Sequence, residues 1–176
     1  VPGAAESWVV SDDGLTYTFT LREDARWSNG ELVTAEHFVF ALRRLVDPGT
    51  AAFYAQMLDA IANATEIIAG EKAPDELGVA ATDERTLVIT LSRPTPYLLS
   101  LLTFPSTFPL HPNAVAQHGE AFARAGNLLS NGASKLDARS PGSVIELSRN
   151  EYYWNNAGTA IDFVRHHVVT QEVTEF

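Results

Sequence analysis

Histidines and carboxylates are the side chains that could perform metal or acid–base chemistry in this chain of 176 residues. His166 and His167 lie in an extended run, where adjacent side chains point to opposite faces, so the two imidazoles cannot share one metal ion. His37, His111 and His118 have no ligand partner three or four positions further along a helix. The chain has no cysteine, which excludes thiolate chemistry, disulfides and cysteine-bound zinc. We therefore expect neither a metal site nor a cofactor.

Sequence motifs of nucleophilic and phosphoryl-transfer chemistry are also absent. There is no G-x-S-x-G elbow, no G-x-x-x-x-G-K-[ST] loop and no G-x-G-x-x-G turn. Spacing alone leaves a carboxylate pair for glycoside hydrolysis open. The acids weighed for it sit beside turns or helix starts, where solvated acids are expected: Asp12-Asp13, Asp24, Asp83-Glu84 and Glu120. The sequence predicts that the protein is not an enzyme.

Aromatic side chains are better candidates for a binding surface. Tyrosine and tryptophan rings offer apolar area together with a hydrogen-bonding group, and they could line the cleft of an organic ligand. The alternative for most of them is interface packing with a hydrogen-bonded hydroxyl. The candidates are Tyr54, Tyr97, Tyr152, Tyr153 and Trp154.

Composition excludes several classes of partner. The formal net charge is −10, and the basic residues are scattered, so we expect no nucleic-acid site. The most apolar run, residues 96–105, is short and bounded by prolines, so we expect no insertion into a membrane. An apolar share of 45% without polar low-complexity tracts is typical of a globular chain.

The candidate residues must be positioned by strands whose pattern is visible in the sequence. Residues 15–22 alternate between apolar and polar side chains, which is the period of a half-buried strand. The turn signal at residues 11–14 predicts that residues 7–10 pair with this strand as a hairpin. Residues 78–91 predict a second hairpin. Two later strands are predicted at residues 144–149 and 161–170.

Helices are predicted between and after these strands. Thr34 is placed as the N-cap of a helix whose apolar stripe runs from Ala35 to Val46 and ends at Pro48-Gly49. Residues 127–133 are a loop rich in turn-forming residues. Shorter helical pieces are predicted at residues 50–58, 61–69, 74–77, 97–102, 113–118 and 120–125.

Several long motifs in order resemble one family. Residues 17–48 read YTFTLREDARWSNGELVTAEHFVFALRRLVDP, which resembles the signature of bacterial extracellular solute-binding proteins, family 5, that feed peptide ABC transporters. Further motifs of that family follow at residues 47–55 (DPGTAAFYA), 77–102, 127–133 (NLLSNGA) and 144–164. The DP-x-T-A-x-x-YA and YWNNA-x-T segments are similar to the oligopeptide-binding branch. The resemblance covers essentially the whole chain.

The resemblance implies a fold and a domain organisation. It implies a mixed α+β or α/β chain that is a fragment of a type II periplasmic-binding-protein-like fold, a mixed sheet with surrounding helices. Family members are considerably longer, with two lobes that close over an extended peptide and an extra domain on the first lobe. We expect residues 1–110 to form the extra domain and residues 111–176 to form a partial return segment of the first lobe.

The resemblance also implies ligand-binding residues. The family holds its peptide mainly through main-chain pairing, as if adding a strand. The tyrosine of the DP-x-T-A-x-x-Y motif is Tyr54, whose phenol could hydrogen-bond the peptide main chain; a domain-interface role is the alternative. Asn131 and Gly132 match the family's NGA[YF] segment near the lobe junction. The aromatic residue that usually follows is replaced by Ser134 here.

The function implied by the resemblance is a non-catalytic one. We expect a monomeric periplasmic protein, or an extracellular and lipid-anchored one, that captures oligopeptides and delivers them to the permease of an ABC transporter. One alternative is a carrier of the same family for a murein peptide, a nickel chelate or haem. The alternative from a different class is an accessory domain of a secreted hydrolase.

Overall fold

The computed structural model describes residues 3–168, which divide into two compact units. The first unit contains residues 3–23 and 34–110, and the second contains residues 24–33 and 111–168. The chain therefore passes from one unit to the other three times, and the short segment 24–33 belongs with the C-terminal part of the sequence.

The first unit contains a four-stranded antiparallel sheet with the strand order β1-β2-β4-β3. Both predicted hairpins are confirmed, since β1 pairs with β2 and β3 pairs with β4. Alternate residues of β2, Tyr17, Phe19 and Leu21, are buried as their period of two predicts. The strands are β1 (Ala5–Val10), β2 (Thr16–Leu21), β3 (Val79–Ala81) and β4 (Thr86–Thr90).

Helix α1 (Ala35–Val46) packs against this sheet, with Thr34 at its N-cap as predicted. The Thr34 N–H donates to His37 Nδ1 at 3.0 Å, which satisfies a backbone group at the helix start. The buried positions of α1 follow the predicted apolar stripe, and they join the β2 and β4 side chains in one hydrophobic core.

The two helical pieces expected after α1 are shorter than predicted. Residues 50–58 contain only a 3₁₀ turn at Ala55–Leu58, and residues 61–69 contain the short helix α2 (Ala64–Ile68). The reason is that Ala51 and Asn63 adopt positive φ angles of 50° and 67°, which a continuous right-handed helix does not allow. Helix α3 spans Leu98–Leu101, inside the predicted range.

The second unit contains helix α4 (Pro112–His118) and a three-stranded antiparallel sheet. The strand order is β5-β6-β7, with β5 (Ser134–Ser140), β6 (Val144–Arg149) and β7 (Phe163–His167). The predicted β6 is confirmed, and the predicted 161–170 strand is confirmed over Phe163–His167 only; residues 161–162 precede it without strand structure, and residues 169–170 lie outside the described part of the chain. Strand β5 was not predicted.

Gly78 lies where two segments of the first unit pack closely against its backbone. Its N–H donates to Ala62 O at 2.9 Å, and its O accepts from Thr90 N–H at 2.7 Å. A Cβ at this position would lie 2.7 Å from Thr90 O and 2.8 Å from Ala62 Cβ. A side chain at position 78 must therefore displace the end of β4 at Thr90 or the turn at Ala62.

We predict that Gly78→Ala lowers the free energy of unfolding by about 2 kcal/mol, because overpacking against backbone cannot be relieved by a rotamer change. Urea unfolding of the protein measures the difference. Gly3→Ala is the matched control, since a Cβ there meets nothing within 4 Å. Equal stabilities of the two variants would contradict the packing argument.

Candidate functional site

The loop that carries Tyr54 begins where α1 ends. The Asp47 Oδ1 accepts the Gly49 N–H at 2.8 Å and caps a 3₁₀ turn, Pro48–Thr50. Ala51 then adopts the left-handed conformation, with φ 50° and ψ 40°. Backbone strain of this kind persists only where the surrounding structure fixes it. The direction in which the chain leaves α1 toward Tyr54 is therefore set by a side-chain cap and one strained residue.

The Tyr54 ring is held between two other rings of the first unit. Its centroid lies 4.9 Å from that of Phe104 at an interplanar angle of 68°, and 5.0 Å from that of Phe53 at 81°. Both contacts are edge-to-face, the arrangement that aromatic quadrupoles favour. Tyr54 is 45% exposed, and within residues 3–168 its hydroxyl makes no hydrogen bond. The phenol is thus oriented by packing and keeps its donor and acceptor capacity.

Tyr97, the other candidate tyrosine of the first unit, has a different environment. It interacts with Arg93, whose guanidinium donates to Asp59 Oδ2 at 2.7 Å. The pKa of Arg93 is raised, mainly by the hydrogen bond and charge of Asp59 and to a smaller extent by Tyr97. Tyr97 therefore supports a surface ion pair and makes a useful comparison for Tyr54.

The loop that carries Asn131 and Gly132 lies in the second unit and is organised by Asn150. The Asn150 side chain is fully buried, and its Nδ2 donates to Gly132 O at 2.9 Å and to Ser130 O at 3.4 Å. Its backbone N–H donates to Ala133 O at 2.9 Å. One buried residue therefore donates to three carbonyls of a loop that has no secondary structure of its own, two through its side-chain amide and one through its backbone N–H.

Segment 24–33 supports the same loop from the other side. The Ser28 N–H donates to Ser130 O at 2.7 Å, and Ser28 Oγ accepts from the Ser130 N–H at 3.2 Å. Asn131 is half-buried between these anchors. Gly132 does not have a positive φ, and a Cβ there would make only an ordinary contact of 3.5 Å with Ser130 Oγ. The fold of this chain alone does not require glycine at position 132.

The aromatic candidates of the second unit all make packing contacts, with Tyr153 and Trp154 half-buried. The Tyr152 N–H donates to Asn150 Oδ1 at 3.1 Å, and its ring lies over Gly30, where a Cβ would sit 3.3 Å from Cε1. Tyr153 and Trp154 contact each other with centroids 5.4 Å apart. Tyr152 therefore packs over the turn at Gly30 while its side chain remains partly exposed.

Sequence reasoning missed a buried cluster around His111. The His111 Nε2 lies 2.6 Å from Glu31 Oε2, and its Nδ1 accepts the Ala114 N–H at 3.4 Å at the start of α4. Trp27, 1% exposed, packs edge-on against the imidazole at 5.6 Å. The partner of His111 lies 80 positions earlier in the chain. A search at helical spacing could not find it, and only the contact of segment 24–33 with α4 reveals it.

Metal and membrane sites are not seen in the part of the chain that the structure describes. Residues 3–168 contain no group of three or more histidine, aspartate or glutamate side chains that could hold a metal ion. The longest helix among these residues, α1 with 12 residues, falls short of a bilayer span.

Comparison with known proteins decides the family. Residues 1–175 match the sequence profile described as bacterial extracellular solute-binding proteins, family 5 Middle. The chain belongs to this family. Among curated relatives, the periplasmic oligopeptide-binding protein OppA of Haemophilus influenzae is 48% identical over 163 residues, which are 92% of this chain and 30% of that protein. The Escherichia coli protein of the same name is 44% identical over 99% of this chain and 32% of its own length.

Solved structures of the family share the fold. The crystal structure of Haemophilus influenzae OppA in complex with the peptide RPPGFSPFR matches with a TM-score of 0.93 at 47% identity, over 96% of this chain and 33% of that one. The murein tripeptide-binding protein MppA, in its unliganded open form, matches with a TM-score of 0.93 at 39% identity, over 98% of this chain and 34% of that one. The expected fold class is confirmed, and the chain spans about a third of the length of these family members.

We predict that Asn150→Ala lowers the free energy of unfolding by about 1–3 kcal/mol, since it removes the side-chain donor of Gly132 O and one of the two donors of Ser130 O. Urea unfolding measures the loss, and amide hydrogen exchange should rise across residues 130–133. Asn113→Ala is the control, because Asn113 is exposed on α4. Unchanged exchange in this loop would show that Asn150 does not organise it.

Proposed function

We propose that this chain works as part of a non-catalytic binding protein that captures oligopeptides outside the cytoplasmic membrane and delivers them to an ABC transporter. The observation that carries the proposal is its similarity, at 48% and 44% identity, to proteins named as periplasmic oligopeptide-binding proteins. Two structures of similar fold contain bound peptide, those from Haemophilus influenzae and Listeria monocytogenes. The partners are an oligopeptide and the transporter's permease, and the binding protein acts as a monomer.

A murein peptide is the second candidate ligand. The murein peptide-binding protein MppA of Escherichia coli is 40% identical over 98% of this chain, and its structure matches with a TM-score of 0.93. Identity falls to 37% for a probable deoxycholate-binding protein and to 34% for a dipeptide-binding protein. Three relatives at 40–48% identity are named for peptides, which favours a peptide ligand over the nickel chelate, haem or hydrolase alternatives.

Tyr54 is the residue that we assign to the peptide main chain. Its ring is fixed by Phe53 and Phe104, and its hydroxyl is unpaired within residues 3–168. A phenol can donate to a peptide carbonyl or accept from a peptide N–H, and it does so whatever side chain the peptide carries. Recognition of this kind gives binding that is tolerant of sequence.

Asn131 and Gly132 are the second contact that we assign to the ligand. Glycine allows another backbone to approach closely, and neither φ nor space within this chain explains glycine at position 132. The Asn131 amide has both a donor and an acceptor, so it can pair with a peptide group. The Asn150 anchor keeps this loop in place before any ligand arrives.

The two units correspond, in our proposal, to different parts of the family's architecture. The unit of residues 3–23 and 34–110 is the extra domain, and residues 111–168 are the return into the first lobe. Segment 24–33 groups with the return segment by its contacts, so the extra domain is interrupted in sequence. We place the protein in the periplasm, or on the outer surface with a lipid anchor.

We predict that Tyr54→Phe weakens the binding of every oligopeptide by a similar factor of about 2–10, since one main-chain hydrogen bond contributes about 0.5–1.5 kcal/mol. Calorimetry on the full-length protein that carries this chain measures the dissociation constants of several tetrapeptides, a murein tripeptide and deoxycholate. Tyr97→Phe is the control and should leave these constants unchanged. Tight binding of deoxycholate without any peptide binding would overturn the proposal.

A further inference from the structure

Phe53 is the most exposed large hydrophobic side chain among residues 3–168, at 91% of its area. Single exposed apolar residues are common and do not by themselves indicate a binding site. Phe53 is not single, because its ring continues the edge-to-face series of Tyr54 and Phe104. We call these three rings the aromatic ladder.

The aromatic ladder is held in place before any partner arrives. Phe104 is half-buried and precedes the 3₁₀ turn Pro105–Thr107. From it the rings lead outward through Tyr54 to Phe53, with successive centroids 4.9 Å and 5.0 Å apart. The strained Ala51 fixes the backbone just before the outer ring. A preorganised ring loses little conformational freedom when it binds, so its contact contributes more to affinity.

We propose that Phe53 determines side-chain specificity, by packing against an aromatic or large apolar side chain of the bound peptide. This inference rests on the proposed function, in which Tyr54 holds the peptide main chain. An extended peptide directs alternate side chains to opposite faces, so one side chain lies beside a main-chain group held at Tyr54. The ring of Phe53, 5.0 Å from Tyr54, is placed to meet it.

The chemistry of Phe53 selects the class of ligand side chain. Its ring offers an apolar face and a positive edge, both largely uncovered in the first unit. An aromatic side chain of the peptide extends the edge-to-face series by one ring, and a leucine or methionine side chain covers the same area without the quadrupole contact. Carboxylate side chains lose hydration there and gain no partner, so they are disfavoured.

The test uses the full-length protein, tetraalanine, and the four tetrapeptides in which one alanine is replaced by phenylalanine. Calorimetry should show that one of the four substituted peptides binds about 3–10-fold more tightly than tetraalanine. Phe53→Ala should abolish that preference, so that the five peptides bind within about twofold of one another; any weakening caused by the lost contact of Phe53 with Tyr54 should be common to all five. Phe53→Leu should retain part of the preference. Phe108→Ala is the control, since it removes another exposed phenylalanine of the first unit outside the ladder.

The outcomes separate this inference from the proposed function. If the wild-type protein binds none of the five peptides, the proposed function fails, and this inference fails with it. If the wild-type protein binds them and Phe53→Ala keeps the full preference, only the role of Phe53 is refuted. An equal loss of affinity for all five peptides would likewise refute it and would place Phe53 in packing against the rest of the protein.

Discussion

The pairing of β2 with both of its neighbours is the constraint on which the first unit depends. Its register places Tyr17 opposite Ile89 and Phe19 opposite Leu87, so the buried residues of adjacent strands share one face. Helix α1 packs on that face and joins the same core. The end of α1 is thereby fixed, and so is the starting point of the loop that carries Tyr54. A shift of one residue in β2 would turn the core side chains to solvent and release that loop.

The candidate binding residues lie on loops that rigid elements hold by polar contacts. The loop of Tyr54 is fixed by the Asp47 cap and the strained Ala51, while the loop of Gly132 is fixed by buried Asn150. Loops of this kind can present side chains and free backbone groups together, whereas a helix or strand has already used its backbone groups. Because the rigid elements form the scaffold and the loops carry the candidate binding residues, a family can keep one scaffold while its members bind oligopeptides or murein peptides.

Much of the fold could be predicted from the sequence, because β2, the β3–β4 hairpin and α1 each bury one face. Their apolar residues therefore recur at the period of a strand or of a helix. Strand β5 could not, since it buries no side chain fully and is interrupted by a register shift between Leu136 and Ala138. Long-range contacts could not be predicted from the sequence either. The His111–Glu31 pair and the edge-to-face contact of Tyr54 with Phe104 join residues that are far apart in sequence, so no local sequence pattern indicates them.

Tyr54 links the fold to the proposed function, because it is at once packed in the aromatic ladder and unpaired at its hydroxyl within residues 3–168. The most direct test is a crystal structure of the full-length protein with an oligopeptide bound. The account predicts that the Tyr54 hydroxyl lies about 3 Å from a main-chain nitrogen or oxygen of the peptide. A bound peptide whose main chain makes no hydrogen bond with Tyr54 would contradict it.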